Sequence, residues 1–380
     1  MAEPFDIFFA GGGSGGHLYP GIAVAEELAT VLPDARPVFL CTEREIDATI
    51  LDATGYDYIT QPIVPPRKSV GGLLRFWTKW RATNEQVRRL IDERKPKVVL
   101  GLGGYAAGAC IKLAEKADVP AAMLNPDVVP GKANQYLFAS CSAIFCGYDA
   151  TLDHVPSKHK GKCQVTGCPL RRSVVELPKP EVAAERLDLD PNLNTLLITG
   201  ASQGAKSVND AMLEVAKRME QAGGDRPMQG WQILHLAGSD HAADVREGYR
   251  KLGYNGRAKV VDFTPNMADI WAVSDLAVAR SGAGNCAELA AAGVPSVLMP
   301  YPYHKDLHQL SNAKQLEEAG AATVLTDTKN ASTNANALLP ALEALLYDAE
   351  RRKDMSEAAS KLGKPHAARA VAEAIAALVP

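Results

Sequence analysis

The stretch Phe5 to Leu28, FDIFFAGGGSGGHLYPGIAVAEEL, limits the possible folds more than any other part of the chain. Ile7, Phe8, Phe9 and Ala10 form an apolar run short enough for a buried strand. Gly11, Gly12, Gly13, Ser14, Gly15 and Gly16 follow as a turn with almost no side chains. Val24, Leu28 and Val31 then recur at helical spacing. Pro20 is expected in the first turn, where its missing N–H costs nothing. Strand, glycine turn and helix bring backbone N–H groups and a helix N-terminus to one point, a cradle for a phosphate or another anion.

The same unit recurs mid-chain. Thr195–Thr199 reads as a strand, Gly200–Ala205 (GASQGA) as a glycine turn, and a helical pattern starts at Ser207. Short apolar runs alternate with helical stretches around both copies. Val38–Cys41, Tyr58–Ile63, Val98–Leu102, Ala121–Leu124 and Ala143–Cys146 belong to the first series. Ile233–Leu236, Val260–Phe263, Leu276–Ala279, Ser296–Met299 and Ala322–Leu325 belong to the second. This is the βαβ rhythm of parallel sheets covered by helices on both faces. A chain of 380 residues exceeds one typical core. Two doubly wound α/β domains are therefore expected, joined by the proline-rich Val174–Pro180. Helices are expected at Ala335–Leu346, Ala349–Leu362 and Pro365–Leu378. The last is poor in long apolar residues and must pack on another element.

A net charge of −3 gives no support to nucleic-acid binding. The 7 cysteines include no C-x-x-C pair, and most lie in or beside apolar runs, as buried free thiols do in a reducing cytoplasm. No basic region precedes the first apolar run, and no stretch is long and apolar enough to span a bilayer. We expect a soluble protein able to lie against a membrane.

Several residues stand out chemically. His17 leaves the first glycine turn; histidine's unperturbed pKa lies near neutrality, which suits a general base, and the ring also suits a helix-capping bond. Gly101–Gly108, GLGGYAAG, is a second glycine-rich strand exit. Two such exits at the carboxyl ends of one sheet are what a crevice site requires. Asp127, beside Pro126, reads as a turn residue, or as a carboxylate sharing the base role with His17 or orienting it. Arg280, Ser281, Gly282, Gly284, Asn285 and Glu288 cluster in ARSGAGNCAEL. Glu288 suits the start of a helix, or ribose hydroxyls. His304, Lys305, Asp306, His308, Gln309 and Asn312 crowd one polar stretch, which reads as a solvated loop or as a sugar-binding one. No metal-ligand spacing is evident. Asp188 and Asp190 read as a solvated helix end.

Leu73, Leu74, Phe76, Trp77 and Trp80 form one apolar face, framed by Arg67, Lys68, Arg75, Lys79 and Arg81. Such a helix suits a core, or an anionic membrane surface.

Together these motifs resemble the MurG family, the bacterial undecaprenyl-pyrophosphoryl-muramoyl-peptide N-acetylglucosaminyltransferases of glycosyltransferase family 28. GGGSGGHLYPGIAVAEEL, GLGGYAAG, VTGCPLR, GASQGAKSVN, FTPNMADIW and RSGAGNCAELAAAGVPSVLMPYPYHKD follow in the family's order across nearly the whole chain. The resemblance implies a GT-B fold, two Rossmann-like doubly wound domains facing across a cleft. Residues 1–168 would be the acceptor and membrane domain, with 364–380 packing back on it. Residues 169–363 would bind UDP-N-acetylglucosamine.

By motif, the resemblance assigns Ser14, Gly15, Arg171, Ser202, Gln203, Gly204, Thr264, Arg280, Ser281, Gly282, Glu288, His308 and Gln309 to the donor. It assigns Gly12, Gly13, Gly16, Gly104, Tyr105 and Asn125 to the acceptor. The Leu73–Trp80 face would dock on an anionic membrane. No tightly bound cofactor is implied, with a divalent cation at most assisting. His17 or Asp127 would take the proton from the acceptor. The enzyme would work at the cytoplasmic face of the cell membrane, in peptidoglycan synthesis, within reach of a cell-wall synthesis complex.

The chain departs from the family at three places. Leu124, Asn125, Pro126 and Asp127 stand where the family usually has His-Glu-Gln-Asn. His308-Gln309 stands for a Gln-Gln pair, and Cys168 for an Asn. These departures keep open a related transferase with another acceptor, a UDP-N-acetylglucosamine 2-epimerase of the same fold, and an inactive nucleotide-sugar binder.

Overall fold

The structure, a computed structural model, describes residues 3–66, 69–200, 204–221, 228–254, 256–303 and 307–380. Ser202, Gln203, His304, Lys305, Asp306, Arg67 and Lys68 lie outside the described residues.

The chain divides into two compact units, Met1–Arg172 with Lys364–Pro380, and Ser173–Gly363. The division falls later than the expected 168/169 boundary because Arg172 is tied to the first helix. Its N–H reaches Glu26 Oε2 at 2.8 Å and its Nη2 reaches Glu27 Oε1 at 3.1 Å. The expected linker at Val174–Pro180 is not free chain: Val174 is buried in the second unit's core.

The first unit is built on a parallel sheet of β1 (Phe5–Gly11), β2 (Ala35–Thr42), β3 (Asp57–Gln61), β4 (Val98–Gly103), β5 (Ala121–Asn125), β6 (Ala143–Cys146) and β7 (Cys163–Val165). The strand order is β3-β2-β1-β4-β5-β6-β7. Alternation along β1 serves both faces. Ile7 and Phe9 join one buried cluster, Phe8 and Ala10 the other. The helix Ala367–Ala376 returns to the first helix, Gly15–Val31, where Val371, Ala372 and Ile375 share a cluster with Leu18, Ile22 and Leu28. Its small residues permit a close approach of the two helices.

Pro20 lies inside the helix Gly15–Val31 and not in its first turn. The helix begins before His17, so the proline withholds an N–H from the Gly16 carbonyl.

The second unit holds β8 (Asn194–Thr199), β9 (Trp231–Leu236), β10 (Ala258–Val261), β11 (Leu276–Ala279), β12 (Ser296–Leu298) and β13 (Ala322–Val324), in the order β10-β9-β8-β11-β12-β13. All its pairings are parallel. Both sheets reverse direction of strand order once, between β1 and β4 and between β8 and β11. At such a switch point the flanking loops splay apart and leave a crevice at the carboxyl ends of the strands.

The helix Val70–Arg94 buries only Thr83, Val87 and Ile91. Trp80 packs on Gly108, whose added Cβ would sit 3.1 Å from the indole. Phe76 stacks on Trp80 with ring centroids 5.8 Å apart. Val70, Leu73, Leu74 and Trp77 point into solvent, Leu74 at 67% and Trp77 at 59% exposure. The apolar face therefore splits, with Trp80 packed inward and the first two turns bare. No helix among the described residues is long and apolar enough to cross a membrane.

Candidate active site

At the first switch point, Gly12 and Gly13 leave β1 with φ of 156° and 86°. A Cβ on Gly12 would overlap Asp47 Oδ2, so only glycine admits the carboxylate there. Asp47 is fully buried. Its oxygens accept the Gly13 N–H at 2.8 Å each, and Oδ2 also accepts the Thr42 N–H at 2.9 Å and the Thr42 hydroxyl at 2.6 Å. Arg44 Nη1 donates to the Gly13 carbonyl at 2.5 Å.

His17 sits in the first turn of the helix, half-buried. Its Nδ1 lies 3.0 Å from the Gly12 carbonyl and 3.4 Å from Ser14 Oγ. A carbonyl only accepts, so Nδ1 carries the proton in that bond and the lone pair falls on Nε2. Gly103 and Gly104, leaving β4, press on the ring: a Cβ on Gly104 would sit 3.0 Å from His17 Cε1. Side chains there would push the imidazole aside. The two glycine loops thus meet at one histidine.

Ser14 is the N-cap of the helix, and Gly15 and Gly16 open it. Their amides belong to the turn in which a helix has no internal acceptors. The Tyr105 hydroxyl faces Gly13, 3.6 Å from where its Cβ would be. Burial raises the Tyr105 phenol above its ordinary value, so it stays a donor.

Asn125 is buried, with its side-chain groups committed within the protein. Its Nδ2 donates to the Asp127 carbonyl at 2.8 Å, and its Oδ1 accepts from Asn134 at 3.1 Å. Through these bonds it braces the loop after β5. Asp127 is half-buried in that loop, and its carbonyl also accepts from Thr151 at 3.3 Å. Arg171 belongs to the first unit, where its guanidinium lies over Tyr19, 4.3 Å from the ring centroid.

The second switch point has the same plan. Gly204 has φ 70°, and a Cβ on it would overlap the Ala237 carbonyl. The helix Lys206–Gln221 starts directly after. Across the switch point, Gly282 is the N-cap of the helix Ala283–Ala292. Glu288 stands on that helix, half-buried, and Oε2 accepts the indole N–H of buried Trp271 at 2.7 Å. Thr264 lies beyond β10, where its hydroxyl accepts the Asn266 N–H at 3.1 Å. His308 opens the helix His308–Glu318, preceded by Leu307 at φ 50°.

Two residues expected at the donor, Arg280 and Ser281, make extensive bonds within the protein. Arg280 is 5% exposed. Its Nη1 donates to the Met299 and Pro300 carbonyls at 2.7 and 3.2 Å, and its Nη2 reaches Ser207 Oγ and Asp327 Oδ2 at 2.8 Å each. Burial alone would raise the Asp327 carboxyl; hydrogen bonds from Ser207, Asn334, the Lys329 N–H and Arg280 outweigh it and hold it below the ordinary carboxylate range. Ser281 is fully buried, and its hydroxyl donates to the Gln309 carbonyl at 2.8 Å. Gln309 Oε1 accepts the Tyr301 N–H at 2.9 Å. Arg280 and Ser281 therefore lock the loops after β11 and β12 to the helix that begins at His308.

Asp47 and Asp327 carry no motif of their own in the sequence, and Trp271 only closes FTPNMADIW, yet each holds a residue that stands out there. Among the described residues, no group of three or more His, Cys, Asp or Glu is arranged to hold a metal ion.

Two parallel Rossmann-like sheets, each with a glycine loop at its switch point, match the two-domain GT-B architecture. The glycosyltransferase family 28 N-terminal domain model matches residues 7–146, and the family 28 C-terminal domain model matches residues 195–371. A Thermodesulfovibrio yellowstonii protein named UDP-N-acetylglucosamine--N-acetylmuramyl-(pentapeptide) pyrophosphoryl-undecaprenol N-acetylglucosamine transferase is 32% identical, over 97% of each chain. A Geobacter sulfurreducens protein of the same name is 33% identical, over 98% of each. The crystal structure of Acinetobacter baumannii MurG superposes with a TM-score of 0.72 at 23% identity, covering 98% of this chain and 100% of that one. A Neisseria meningitidis UDP-GlcNAc 2-epimerase shares the fold, with a TM-score of 0.67 at 15% identity, covering 98% of this chain and 100% of that one. The chain belongs to the MurG family of glycosyltransferase family 28.

Proposed function

We propose that this enzyme transfers N-acetylglucosamine, with inversion, from UDP-N-acetylglucosamine to the 4-hydroxyl of undecaprenyl-pyrophosphoryl-N-acetylmuramoyl-peptide. This converts lipid I to lipid II in peptidoglycan synthesis. The observation that carries the reading is the end-to-end relatedness to transferases whose names state that reaction.

The first unit takes the acceptor and the second the donor. The acceptor hydroxyl attacks the anomeric carbon, forming the new C–O bond. The bond from that carbon to the β-phosphate oxygen breaks, and its electron pair leaves with UDP. His17 Nε2, whose lone pair is set by the Nδ1 bond to Gly12, takes the hydroxyl proton as general base. Charge growing on the diphosphate meets backbone amides at the starts of the helices Lys206–Gln221 and Ala283–Ala292. Glu288, held by Trp271, accepts from the ribose hydroxyls. The Gly12–Gly16 loop faces the acceptor's diphosphate, with Tyr105 as a neutral donor beside it.

The bare turns of the helix Val70–Arg94 set Leu73, Leu74 and Trp77 among Arg75, Lys79 and Arg81. This pattern supports peripheral docking on an anionic membrane, at the cytoplasmic face where the lipid-linked acceptor is offered.

The test is incubation of labelled UDP-N-acetylglucosamine with and without lipid-linked muramoyl-pentapeptide. Label should enter lipid only when the acceptor is present. Acceptor-independent epimerisation or hydrolysis, or tight binding without turnover, contradicts the reading.

A further inference from the structure

Asp47 and His17 lie on opposite sides of a single peptide unit. The N–H of the Gly12–Gly13 peptide points at both oxygens of Asp47, 2.8 Å away. The C=O of the same peptide points at His17 Nδ1, 3.0 Å away. No peptide bond among the described residues is cis, and in a trans peptide N–H and C=O point in opposite directions, so one plane joins the two side chains. Asp47 is fully buried and is held from its other side by the Thr42 N–H and hydroxyl.

We propose that Asp47 is a positioning residue for His17, acting through the Gly12–Gly13 peptide. The inference rests on the reading of His17 as the base. A buried carboxylate accepting a peptide N–H polarises that peptide and makes its carbonyl a stronger acceptor. The stronger acceptor holds the proton on Nδ1 and keeps the lone pair on Nε2. When Nε2 takes the acceptor's proton, the imidazolium still donates from Nδ1 to Gly12, and the carboxylate charge beyond that peptide stabilises it. Asp47 touches neither substrate nor the reacting atoms. It fixes tautomer and ring orientation as a carboxylate behind a catalytic histidine does, with a peptide interposed. The geometry also gives Gly12 its reason, since any side chain there would displace the carboxylate.

The experiment compares pH profiles of acceptor-dependent transfer for the wild type, Asp47→Asn, Asp47→Glu and His17→Ala. For Asp47→Asn we expect kcat to fall about 10–100-fold. The acid limb of kcat/KM should move to lower pH, because the imidazolium has lost its nearby negative charge. KM for UDP-N-acetylglucosamine should stay within about twofold, and Asp47→Glu should recover part of the rate. A folded Asp47→Asn enzyme with an unmoved acid limb would overturn the proposal, even if slower, since it would mean that the carboxylate only shapes the loop. Should that variant fail to fold, histidine-selective 15N NMR of the wild type decides. His17, assigned by its absence in His17→Ala, is expected as the Nδ1–H tautomer, and an Nε2–H tautomer overturns the proposal. A fully active His17→Ala enzyme would instead remove the base reading itself, a separate outcome.

Discussion

Trp271 donates its indole N–H to Glu288 Oε2 over 2.7 Å, from a ring that is almost wholly buried. The bond orients the Glu288 carboxylate, the group proposed to meet the donor's ribose. Trp271→Phe keeps most of the packing and removes the donor. We expect KM for UDP-N-acetylglucosamine to rise roughly 3–10-fold with kcat nearly constant, the loss of about one hydrogen bond's worth of orientation. Steady-state kinetics check this; an unchanged KM in a folded variant would detach Trp271 from donor binding.

His235 is fully buried in the second unit, with Nδ1 3.0 Å from the Tyr249 hydroxyl and Nε2 3.0 Å from Asn209 Oδ1. Desolvation lowers its pKa from 6.5 to about 3. The unfolded chain therefore binds a proton that the folded chain refuses between those values. Its contribution to stability is complete above pH 6.5 and is lost as pH falls toward 3, by at most about 1.4 kcal/mol per pH unit. Urea midpoints at pH 7.5 and pH 5 should drop more for the wild type than for His235→Leu. Parallel drops would place the acid sensitivity elsewhere.

The Arg280–Asp327 pair, 2.8 Å apart with both side chains buried, is expected to be structural. Asp327→Ala leaves a buried guanidinium without its carboxylate and should cost about 3–5 kcal/mol of stability. Denaturant unfolding measures the loss. A change below about 1 kcal/mol would mean that the pair is dispensable.

On the helix Val70–Arg94, Leu74→Glu and Trp77→Glu should each weaken binding to phosphatidylglycerol vesicles at least about tenfold, the worth of one buried apolar side chain. Binding of UDP, which we propose takes place on the other unit, should not change. Vesicle sedimentation gives the result, and undiminished binding would argue against docking through this face.

The sheets were legible because their signal is local. Apolar runs such as Ile7–Ala10 and Leu276–Ala279 are strands in the structure. β7, Cys163–Val165, escaped notice: it has three residues, half-buried or exposed, and is a strand only because it pairs with β6. Pro20 was misplaced because the helix start depends on Ser14 and not on the first polar side chain.

The site was legible where glycine and histidine form motifs. Asp47 was not, because its role depends on a bond to Gly13 across 34 residues. Arg280 and Ser281 sit in a telling motif, but their spacing does not say whether they face a ligand or the protein. Burial and hydrogen bonds show what they hold within the protein, which the spacing does not.

The central claim is that His17 Nε2 removes the acceptor's proton. Its most direct test is the acceptor-dependent transfer rate of His17→Ala, measured beside its affinity for UDP. The account predicts a loss of about 100-fold or more in turnover, with UDP affinity kept within about twofold. Wild-type turnover in that variant would contradict it.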